Sequence, residues 1–453
     1  MQKIIVKNFG PIDHAEITIS PLLVLIGEQA SGKSTIAKLI YFFKSLGDEF
    51  LTRYYLSENK HIDYKKNVIF PIRAKFYELF GSTLHLPDFE IVYLYDNNES
   101  ITLSLNQEKK LETKLSNNFF SKGDRSDLKN FKQQLVDLKY KINLTQNIVE
   151  KVSLEEQQTA CLRSMAQKIN SIFGNNHNDS LYIIAGRNAM VGYSDTFEKM
   201  LSMHIQQQME NKGKLVFDTK EQTIDETLML EFMKKVSFLR QTFSKVGDFE
   251  GFISEKERND AKDLKVAYSL VNKVIKGKFS TTTYGEKIVV DEPQGRYVSL
   301  KDASSGQQES IRILQDVFYS IYSGNNVFRI IEEPEAHLFP ESQMYLIQLL
   351  VILLNHNQKN QIIITTHSPY VLTVINNLLY AYEIGKKHKQ AVKEIIEEKS
   401  WIDPMKVGSY MLSNGKSDDI FDRDLKMIKA ECIDGVSSIL NEQFDNLLNL
   451  ENE

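Results

Sequence analysis

Gly27-Glu28-Gln29-Ala30-Ser31-Gly32-Lys33-Ser34 fits the pattern G-x-x-x-x-G-K-[ST] at every fixed position. The apolar run Leu22-Leu23-Val24-Leu25-Ile26 before it predicts a buried parallel strand. The segment Ser34-Thr35-Ile36-Ala37-Lys38-Leu39-Ile40 after it predicts the start of a helix. A strand, a glycine-rich turn and a helix in this order are typical of a phosphate-binding loop, so the stretch predicts an α/β fold built around a nucleotide site.

The residue types in this loop suit a bound triphosphate. Glycine at positions 27 and 32 permits backbone angles at which successive N–H groups point at one phosphate, and the helix N-terminus adds partial positive charge. We expect Lys33 to reach the β- and γ-phosphates and the Ser34 hydroxyl to ligate Mg²⁺, which makes ATP and Mg²⁺ the expected cofactors. The loop residues predicted to bind the nucleotide are Gly27, Glu28, Ala30, Ser31, Gly32, Lys33, Ser34 and Thr35.

The composition is ordinary for a soluble globular protein of 453 residues, with 42% apolar and 25% charged residues. The net charge of −5 excludes an overall basic field that would attract nucleic acid. Cys161 and Cys432 are too few and too far apart for a disulfide framework or a metal site, which suits a reducing compartment. We find no signal-peptide pattern before Ile4, and the apolar stretch 346–354 is too short to span a bilayer. We therefore expect a cytoplasmic protein with no membrane partner.

Apolar periodicity organises the rest of the chain. Further strands are predicted at Ile4–Phe9, Ala15–Ile19, Glu90–Tyr95, Ser100–Leu105, Val327–Ile331 and Gln361–Thr365. Pro340 and Pro369 each open a predicted helix after a strand, and such crossover units favour a parallel sheet. An apolar stripe from Ile433 to Leu448 predicts a terminal helix that docks on its own domain or, alternatively, binds a partner.

Two helical segments, residues 107–168 and 229–279, interrupt the predicted nucleotide-binding domain. Each carries an excess of four positive charges, although the whole chain is negative. Lysine-rich solvated helices explain this excess, and contact with nucleic acid is the alternative.

Two carboxylates follow the predicted strand at Val327–Ile331. In Ile330-Ile331-Glu332-Glu333-Pro334, we expect Glu332 to hold Mg²⁺ directly or through water, and Glu333 to orient and deprotonate the attacking water. His367 ends the next strand, where it can hydrogen-bond the γ-phosphate. The predicted catalytic residues are Glu333 and His367, and the predicted metal ligands are Ser34 and Glu332. A surface acidic pair and a structural histidine are the alternatives.

Ala303-Ser304-Ser305-Gly306-Gln307-Gln308-Glu309 precedes an apolar helix predicted over 311–321, and forms a second helix N-terminus suited to an anion. One triphosphate rarely needs two cradles from one polypeptide. We therefore expect this segment to cap the nucleotide of a second copy, in a homodimer or larger homo-oligomer that sandwiches ATP. The residues predicted to do so are Ser304, Ser305, Gly306 and Gln307.

In combination, these segments resemble the ATP-binding-cassette ATPases of the SMC and RecF type. The signature of that superfamily is Leu-Ser-Gly-Gly-Gln. Ser304, Gly306 and Gln307 match it, whereas Ala303 and Ser305 depart from it. Position 332 carries a glutamate in place of the usual aspartate.

The chain resembles the OLD-type branch of these ATPases still more closely. The segments that carry this resemblance are 331–340, 365–370, Asn8-Phe9-Gly10-Pro11-Ile12 and Ile184-Ala185-Gly186-Arg187-Asn188. The resemblance implies that the loop 335–338 touches the opposite subunit and that Arg187 lies near the nucleotide. Lys33 and Ser304 are 271 residues apart, which is more than a compact cassette needs, so a lobe is inserted between them.

The resemblance implies an α/β fold of the ABC-type P-loop ATPase head, with a mixed sheet of antiparallel N-terminal strands and a parallel core, and an inserted helical lobe. The predicted domains are 1–50, the N-terminal part of the head; 51–180, an inserted α/β and helical lobe; 181–228, a return segment; 229–280, a second helical insertion; and 281–453, the C-terminal part of the head.

OLD-type nucleases carry a TOPRIM domain after the histidine, whereas 84 residues follow Pro369 here. Asp422-Arg423-Asp424 matches the Asp-x-Asp pattern of a TOPRIM metal site. It lies in a polar stretch, however, and is better explained as solvated acidic surface. The segment 418–453 is strongly acidic, which disfavours a phosphate backbone. We therefore expect no nuclease activity in this chain.

We predict an ATP-hydrolysing protein that forms nucleotide-sandwich dimers and controls a separate effector protein. Resemblance to the ATPase subunits of bacterial anti-phage systems such as Septu and PARIS implies that this effector is a nuclease or a toxin. The alternative is a RecF- or SMC-like ATPase that binds DNA directly in repair or recombination. A non-enzymatic scaffold fits less well because the site residues are intact, and a transporter ATPase fits least well.

Overall fold

The computed structural model describes residues 2–57, 64–95, 99–117, 119–174, 179–192, 224–255, 261–282, 285–429, 441–445 and 447. The described residues form two compact units. The first comprises those within Met1–Ile19, Ser34–Ser180 and Lys220–Thr227, and the second those within Ser20–Lys33, Leu181–Thr219 and Leu228–Glu453.

Strands and helices are numbered here in chain order over the described residues. The strands are β1 (Gln2–Phe9), β2 (Ile12–Ile19), β3 (Leu22–Gly27), β4 (Glu90–Leu94), β5 (Ser100–Leu105), β6 (Leu111–Leu115), β7 (Asp179–Ile183), β8 (Lys278–Thr282), β9 (Gly285–Asp291), β10 (Arg296–Ser299), β11 (Val327–Glu332), β12 (Gln361–Thr366), β13 (Val407–Ser413), β14 (Lys416–Asp419), β15 (Phe421–Asp422) and β16 (Met427–Ile428). The helices are α1 (Lys33–Leu56), α2 (Phe70–Phe80), α3 (Lys122–Leu144), α4 (Ile148–Ile172), α5 (Asn188–Gly192), α6 (Ile224–Val246), α7 (Phe249–Ser254), α8 (Ala261–Ile275), α9 (Ser305–Ser323), α10 (Pro340–His356) and α11 (Pro369–Ile395).

The first unit is built on antiparallel strands in the order β6-β5-β4-β1-β2. Aromatic side chains cover the buried face of these strands. Phe43 of α1 stacks on Tyr93 with ring centroids 4.8 Å apart, and Phe76 of α2 lies edge-on to Phe9 at 6.0 Å. Stacked and edge-to-face geometries are those that aromatic pairs prefer, so these rings anchor both helices to the sheet.

The helical lobe of the first unit begins later than the sequence indicates. The prediction of helix from residue 107 is wrong for Leu111–Leu115, which pairs with β5 as an edge strand. Leu111 and Thr113 are buried on alternate positions, a period of two that a short segment easily conceals. After this strand, α3 begins at a capping box between Ser121 and Asp124, and Asn147 caps α4.

The second unit contains the strands β14-β13-β3-β12-β11-β7, in that order. β13, β3, β12 and β11 run parallel, and β14 pairs antiparallel with β13. β3 and β11 are buried along their whole length, which is typical of parallel strands covered on both faces. Because these strands are parallel, their carboxyl ends meet at one edge of the sheet.

Helices α6 to α11 contribute to the apolar core of the second unit. The core includes Phe243, Phe249 and Phe318, together with nearly the whole apolar content of α10. A completely buried ion pair joins α9 to β11, with Arg329 Nε 2.6 Å from Asp316 Oδ2. A small satellite cluster surrounds Trp401, which packs against Gly385.

The predicted mixed α/β fold, with antiparallel N-terminal strands and a parallel core, is confirmed. The five predicted domain boundaries stay a prediction. Most of the predicted terminal helix at 433–448 lies outside the described residues, and Phe444 and Leu447 within it are exposed. Among the helices that the structure describes, none has both the length and the apolar character to cross a membrane.

Candidate active site

The phosphate-binding loop connects the end of β3 to the start of α1. Gly27 has φ +154°, and a Cβ added there would lie 2.2 Å from the carbonyl oxygen of Leu412 on the neighbouring strand. Gly32 has φ +98°, which side chains rarely adopt. Both fixed glycines of the motif therefore meet a backbone requirement of this turn. Ser34 and Thr35 follow in the first turn of α1 and are half-buried.

Lys33 is folded back into its own loop. Its Nζ donates to the carbonyl oxygens of Gly27 at 2.9 Å and Glu28 at 2.7 Å, and lies 3.5 Å from Ser31 Oγ. Burial lowers the pKa of the ammonium, while the charges of Glu333 and Glu335 oppose this shift. Phosphate oxygens would take the place of these neutral acceptors, which makes the loop a ready anion site.

The predicted catalytic segments end two neighbouring strands at the same sheet edge as the loop. β12 lies between β3 and β11, with Thr366 opposite Ile26 and Glu332 opposite Thr365. His367 directly follows β12, and Glu333 directly follows β11. Ligands of open parallel sheets bind beyond the carboxyl ends of the strands, which is where these residues lie.

Glu332, the predicted metal ligand, is buried and held by β7 and the residues after it. Its Oε1 accepts a hydrogen bond from the Tyr182 hydroxyl at 2.7 Å, and its Oε2 accepts from the Ala185 N–H at 3.2 Å. A carboxylate has about four acceptor sites, so these bonds leave lone pairs for a cation or for its water. Sequence reasoning missed Tyr182, because a tyrosine within an apolar strand carries no signal of its own.

Glu333, the predicted base, combines an unusual backbone with a histidine neighbour. Its φ is +41°, its N–H donates to the Thr365 carbonyl at 2.9 Å, and its side chain is 41% exposed. Its Oε1 lies 3.3 Å from His367 Nε2. Glu333 can therefore reach a water molecule, while His367 is placed to orient it or to bind an adjacent anion.

Glu335 belongs to the same edge. The contact of its loop, 335–338, with a partner subunit, which the sequence resemblance implies, stays a prediction. Glu335 Oε1 accepts from Thr366 Oγ1 at 2.5 Å and from the His367 N–H at 3.1 Å. Burial raises the pKa of this carboxyl group, and the nearby charge of Glu333 adds to the effect. Glu335 thus ties the turn after β11 to the end of β12.

The signature-like segment forms the N-terminus of α9. Ser304 is the N-cap: its Oγ accepts from the Gln307 N–H at 3.4 Å, and Gln307 Oε1 accepts from the Ser304 N–H at 3.1 Å. Ser304 and Ser305 are exposed. Gly306 is buried, and a Cβ there would lie 2.5 Å from the carbonyl oxygen of His337. The start of α9 therefore packs against the loop 335–338 of the same chain.

The side chains of this segment differ in exposure and in the hydrogen bonds that they make within the chain. The Gln307 amide also donates to the Ile275 carbonyl at 2.7 Å, so this side chain is already used to cap α9 and to contact α8. Ser304 and Ser305 are exposed, so the N-terminal tip of this 19-residue helix is open to solvent. Such a helix end attracts anions.

Arg187 is completely buried beneath the acidic turn. Its guanidinium donates to the peptide carbonyls of Glu332 at 2.7 Å and Glu333 at 3.0 Å. It contacts the backbone of the site residues, which the sequence resemblance did not specify.

The donor set fits magnesium bound chiefly through a nucleotide. Over the ranges that the structure describes, no group of three or more His, Cys, Asp and Glu side chains is arranged to hold a metal ion. Mg²⁺ in nucleotide enzymes takes one or two protein ligands and completes its shell with phosphates and water. Glu332 and the predicted Ser34 are ligands of the right kind for such a site.

The AAA ATPase domain family matches residues 1–372 of the chain. None of the curated proteins matches this sequence. Among solved structures, one described as the recombination mediator protein RecF-ATPrS in the RecFOR pathway aligns with 92% of this chain and 97% of that chain. The identity is 10% and the TM-score is 0.33.

Proposed function

This chain belongs to the AAA ATPase domain family, and we propose that it hydrolyses ATP at the edge formed by β3, β12 and β11. Lys33 and the loop amides bind the triphosphate, and Ser34 with Glu332 holds Mg²⁺, which neutralises phosphate charge when bound. Glu333 accepts a proton from the attacking water, and His367 binds the γ-phosphate or orients this water.

One observation carries this proposal. The phosphate-binding loop, a carboxylate pair and a histidine lie at the carboxyl ends of three adjacent parallel strands, and His367 Nε2 lies 3.3 Å from Glu333 Oε1. An isolated phosphate loop would support binding alone. A partly exposed carboxylate beside a histidine at the same edge supports proton transfer from water.

The test is steady-state ATP hydrolysis with Mg²⁺. We expect Glu333→Gln to lower kcat by about 10²- to 10⁴-fold, the usual contribution of a general base, and to change KM only a few-fold. The matched control is Glu394→Gln, an exposed carboxylate on α11, which should leave both constants unchanged. A Glu333→Gln enzyme with the wild-type kcat would show that another group activates the water.

We further propose that two copies bind each nucleotide between them. The exposed start of α9 supports this, since Ser304 and Ser305 lie exposed at the N-terminus of a long helix, whose partial positive charge favours an anion. Gly306 places that start beside the loop 335–338, so one chain offers both segments on one patch. Ser304, Ser305, Gly306 and Gln307 then complete the partner's ATP site.

The ATP-bound dimer has a proposed biological role of its own. We infer that the ATP-bound dimer controls a separate effector, a nuclease or toxin, in bacterial anti-phage defence, and that this chain itself cleaves no nucleic acid. The basis is the sequence resemblance to stand-alone OLD-like ATPases.

The competing role is direct DNA binding in repair or recombination. It is tested by titrating duplex DNA at low and physiological salt, with and without ATP, and by following strand cleavage. Tight binding that weakens steeply with salt and strengthens with ATP would favour the repair role over effector control. DNA cleavage by the purified chain would contradict the proposed absence of nuclease activity.

A further inference from the structure

Arg187 is a fully buried cation whose bonds converge on the acidic turn. Its Nη1 donates to the carbonyl oxygens of Ile184 at 2.6 Å and Glu332 at 2.7 Å, and its Nη2 donates to that of Glu333 at 3.0 Å. The planar guanidinium presents these donors in a rigid fork, which lysine cannot reproduce. Arg187 therefore fixes two consecutive peptide groups at the end of β11.

The other side of Arg187 is held by α9. The carboxylate of Glu309, which is 1% exposed, accepts from the Arg187 backbone N–H at 3.0 Å. The Glu309 carbonyl accepts from Arg187 Nε at 3.2 Å, and Nε also lies 3.2 Å from Glu309 Oε2. Glu309 lies five positions after Ser304, one turn and a half along the helix. Arg187 thus joins the first turns of α9 to the catalytic turn.

The backbone of Glu333 needs such support. A non-glycine residue at φ +41° is strained by about 1–3 kcal/mol and persists where its surroundings over-determine it. The Glu333 N–H is held by the Thr365 carbonyl, and its carbonyl is held by Arg187. Loss of either bond would let the backbone at Glu333 rotate, and the side-chain carboxylate would move with it.

Fold stability alone does not explain this arrangement. Burying a guanidinium is costly, and burial lowers the pKa of Arg187 while Glu309 opposes the shift. Buried ion pairs can often be replaced by apolar side chains without loss of stability. Arg329 on β11 is equally buried but pairs its guanidinium with the Asp316 carboxylate, away from the two glutamates' peptide groups.

We propose that Arg187 is a positioning residue that, together with Glu309, locks the peptide groups of Glu332 and Glu333 to the start of α9. The base is correctly aimed only while α9 keeps its place. A nucleotide that engages the Ser304 end of α9 therefore acts on Glu333 through this link. The inference rests on the proposed ATPase function and adds a coupling between its two halves.

The test compares Arg187→Lys with Arg329→Lys, which removes the same fork from an equally buried ion pair. We expect Arg187→Lys to lower kcat about 100-fold, as a misplaced base does, with KM within threefold of wild type. Arg329→Lys should keep kcat within threefold when assayed below its melting temperature. In a Glu333→Gln background, Arg187→Lys should change the residual rate less than twofold, because the residue acts through this base.

Glu309→Gln keeps the side-chain shape and should lower kcat about tenfold, so it carries the test if Arg187→Lys does not fold. Equal kcat values for Arg187→Lys and Arg329→Lys, an effect confined to KM, or a Glu309→Gln enzyme within twofold of wild type would overturn the proposal. Deuterium uptake by the segment 330–336 in nucleotide-free protein gives a readout independent of catalysis. Uptake about tenfold faster in Arg187→Lys, but not in Arg329→Lys, supports the link even if the wild type proves inactive.

Discussion

Glu335 is a buried carboxyl group that links the turn after β11 to the end of β12. It bonds the hydroxyl of Thr366 and the N–H of His367, and thereby holds the strand end that presents the histidine. Its other oxygen, Oε2, is buried without a hydrogen-bond partner. An unpaired buried oxygen favours the protonated carboxyl group, in agreement with the raised pKa.

Glu335 should make stability depend on pH. A carboxyl group with a higher pKa in the folded chain binds more protons there, so the free energy of unfolding falls as pH rises from the ordinary value of 4.5 through the folded pKa. Glu335→Gln removes this loss. We expect its unfolding free energy, relative to wild type, to be greater at pH 7 than at pH 4 in urea titrations. Glu394→Gln should show no such trend, and a pH-independent difference for Glu335→Gln would contradict the assignment.

Gly27 should tolerate no side chain. In Gly27→Ala, the new Cβ would meet the Leu412 carbonyl at 2.2 Å, and β3 and β13 would have to separate. We expect a loss of about 1–3 kcal/mol in unfolding free energy together with loss of ATP binding, measured by denaturation and by nucleotide titration.

The matched control for Gly27 is Gly295→Ala. Gly295 also has positive φ, at +63°, but nothing lies within 4 Å of an added Cβ. This change should cost about 1 kcal/mol, the penalty for the left-handed conformation, and leave nucleotide binding intact. Equal effects of the two substitutions would show that strand separation is not the cause.

At the scale of elements, α9 packs closely against the loop 335–338 because residue 306 is a glycine and has no side chain. We expect Gly306→Ala to push the Ser304 end of the helix away from His337, since the Cβ would lie 2.5 Å from that carbonyl oxygen. ATP hydrolysis should fall about tenfold or more, because small displacements at a catalytic arrangement are expensive, while binding of ATP to the loop persists. Gly324→Ala, at the other end of α9 with open space around it, should keep the wild-type rate. A Gly306→Ala enzyme of normal activity would show that this contact does not matter.

The elements that sequence reasoning placed correctly are those whose signals are local. Apolar runs locate β3, β11 and β12, and the polar residues that end them locate Lys33, Glu333 and His367. What it missed are contacts between residues far apart in the chain: Tyr182 bonds Glu332 across 150 residues, and Arg187, which the resemblance places near the nucleotide, bonds Glu309 across 122. Neither residue has a periodicity or spacing that reveals its partner before the strands are arranged.

At the scale of the whole molecule, nucleotide should control association. The Glu333→Gln variant should bind ATP but hydrolyse it slowly, so in the presence of ATP we expect light scattering to report twice the monomer mass. Ser304→Arg adds a bulky side chain to the exposed start of α9 and should keep the protein monomeric. Ser254→Arg, an exposed position on α7, should not. If Ser304→Arg assembles like its parent, the start of α9 lies outside the interface.

Trp401 provides a fluorescence signal that can be followed during unfolding of the protein. It is the single tryptophan of the chain, is 8% exposed, packs on Gly385 and donates its indole N–H to the Ile396 carbonyl. Because Trp401 lies in the second unit, its selectively excited fluorescence reports unfolding of that unit and not of the first. Circular dichroism has contributions from both units. Comparing its unfolding transition with that of the fluorescence would show whether the two units unfold in one step or in two.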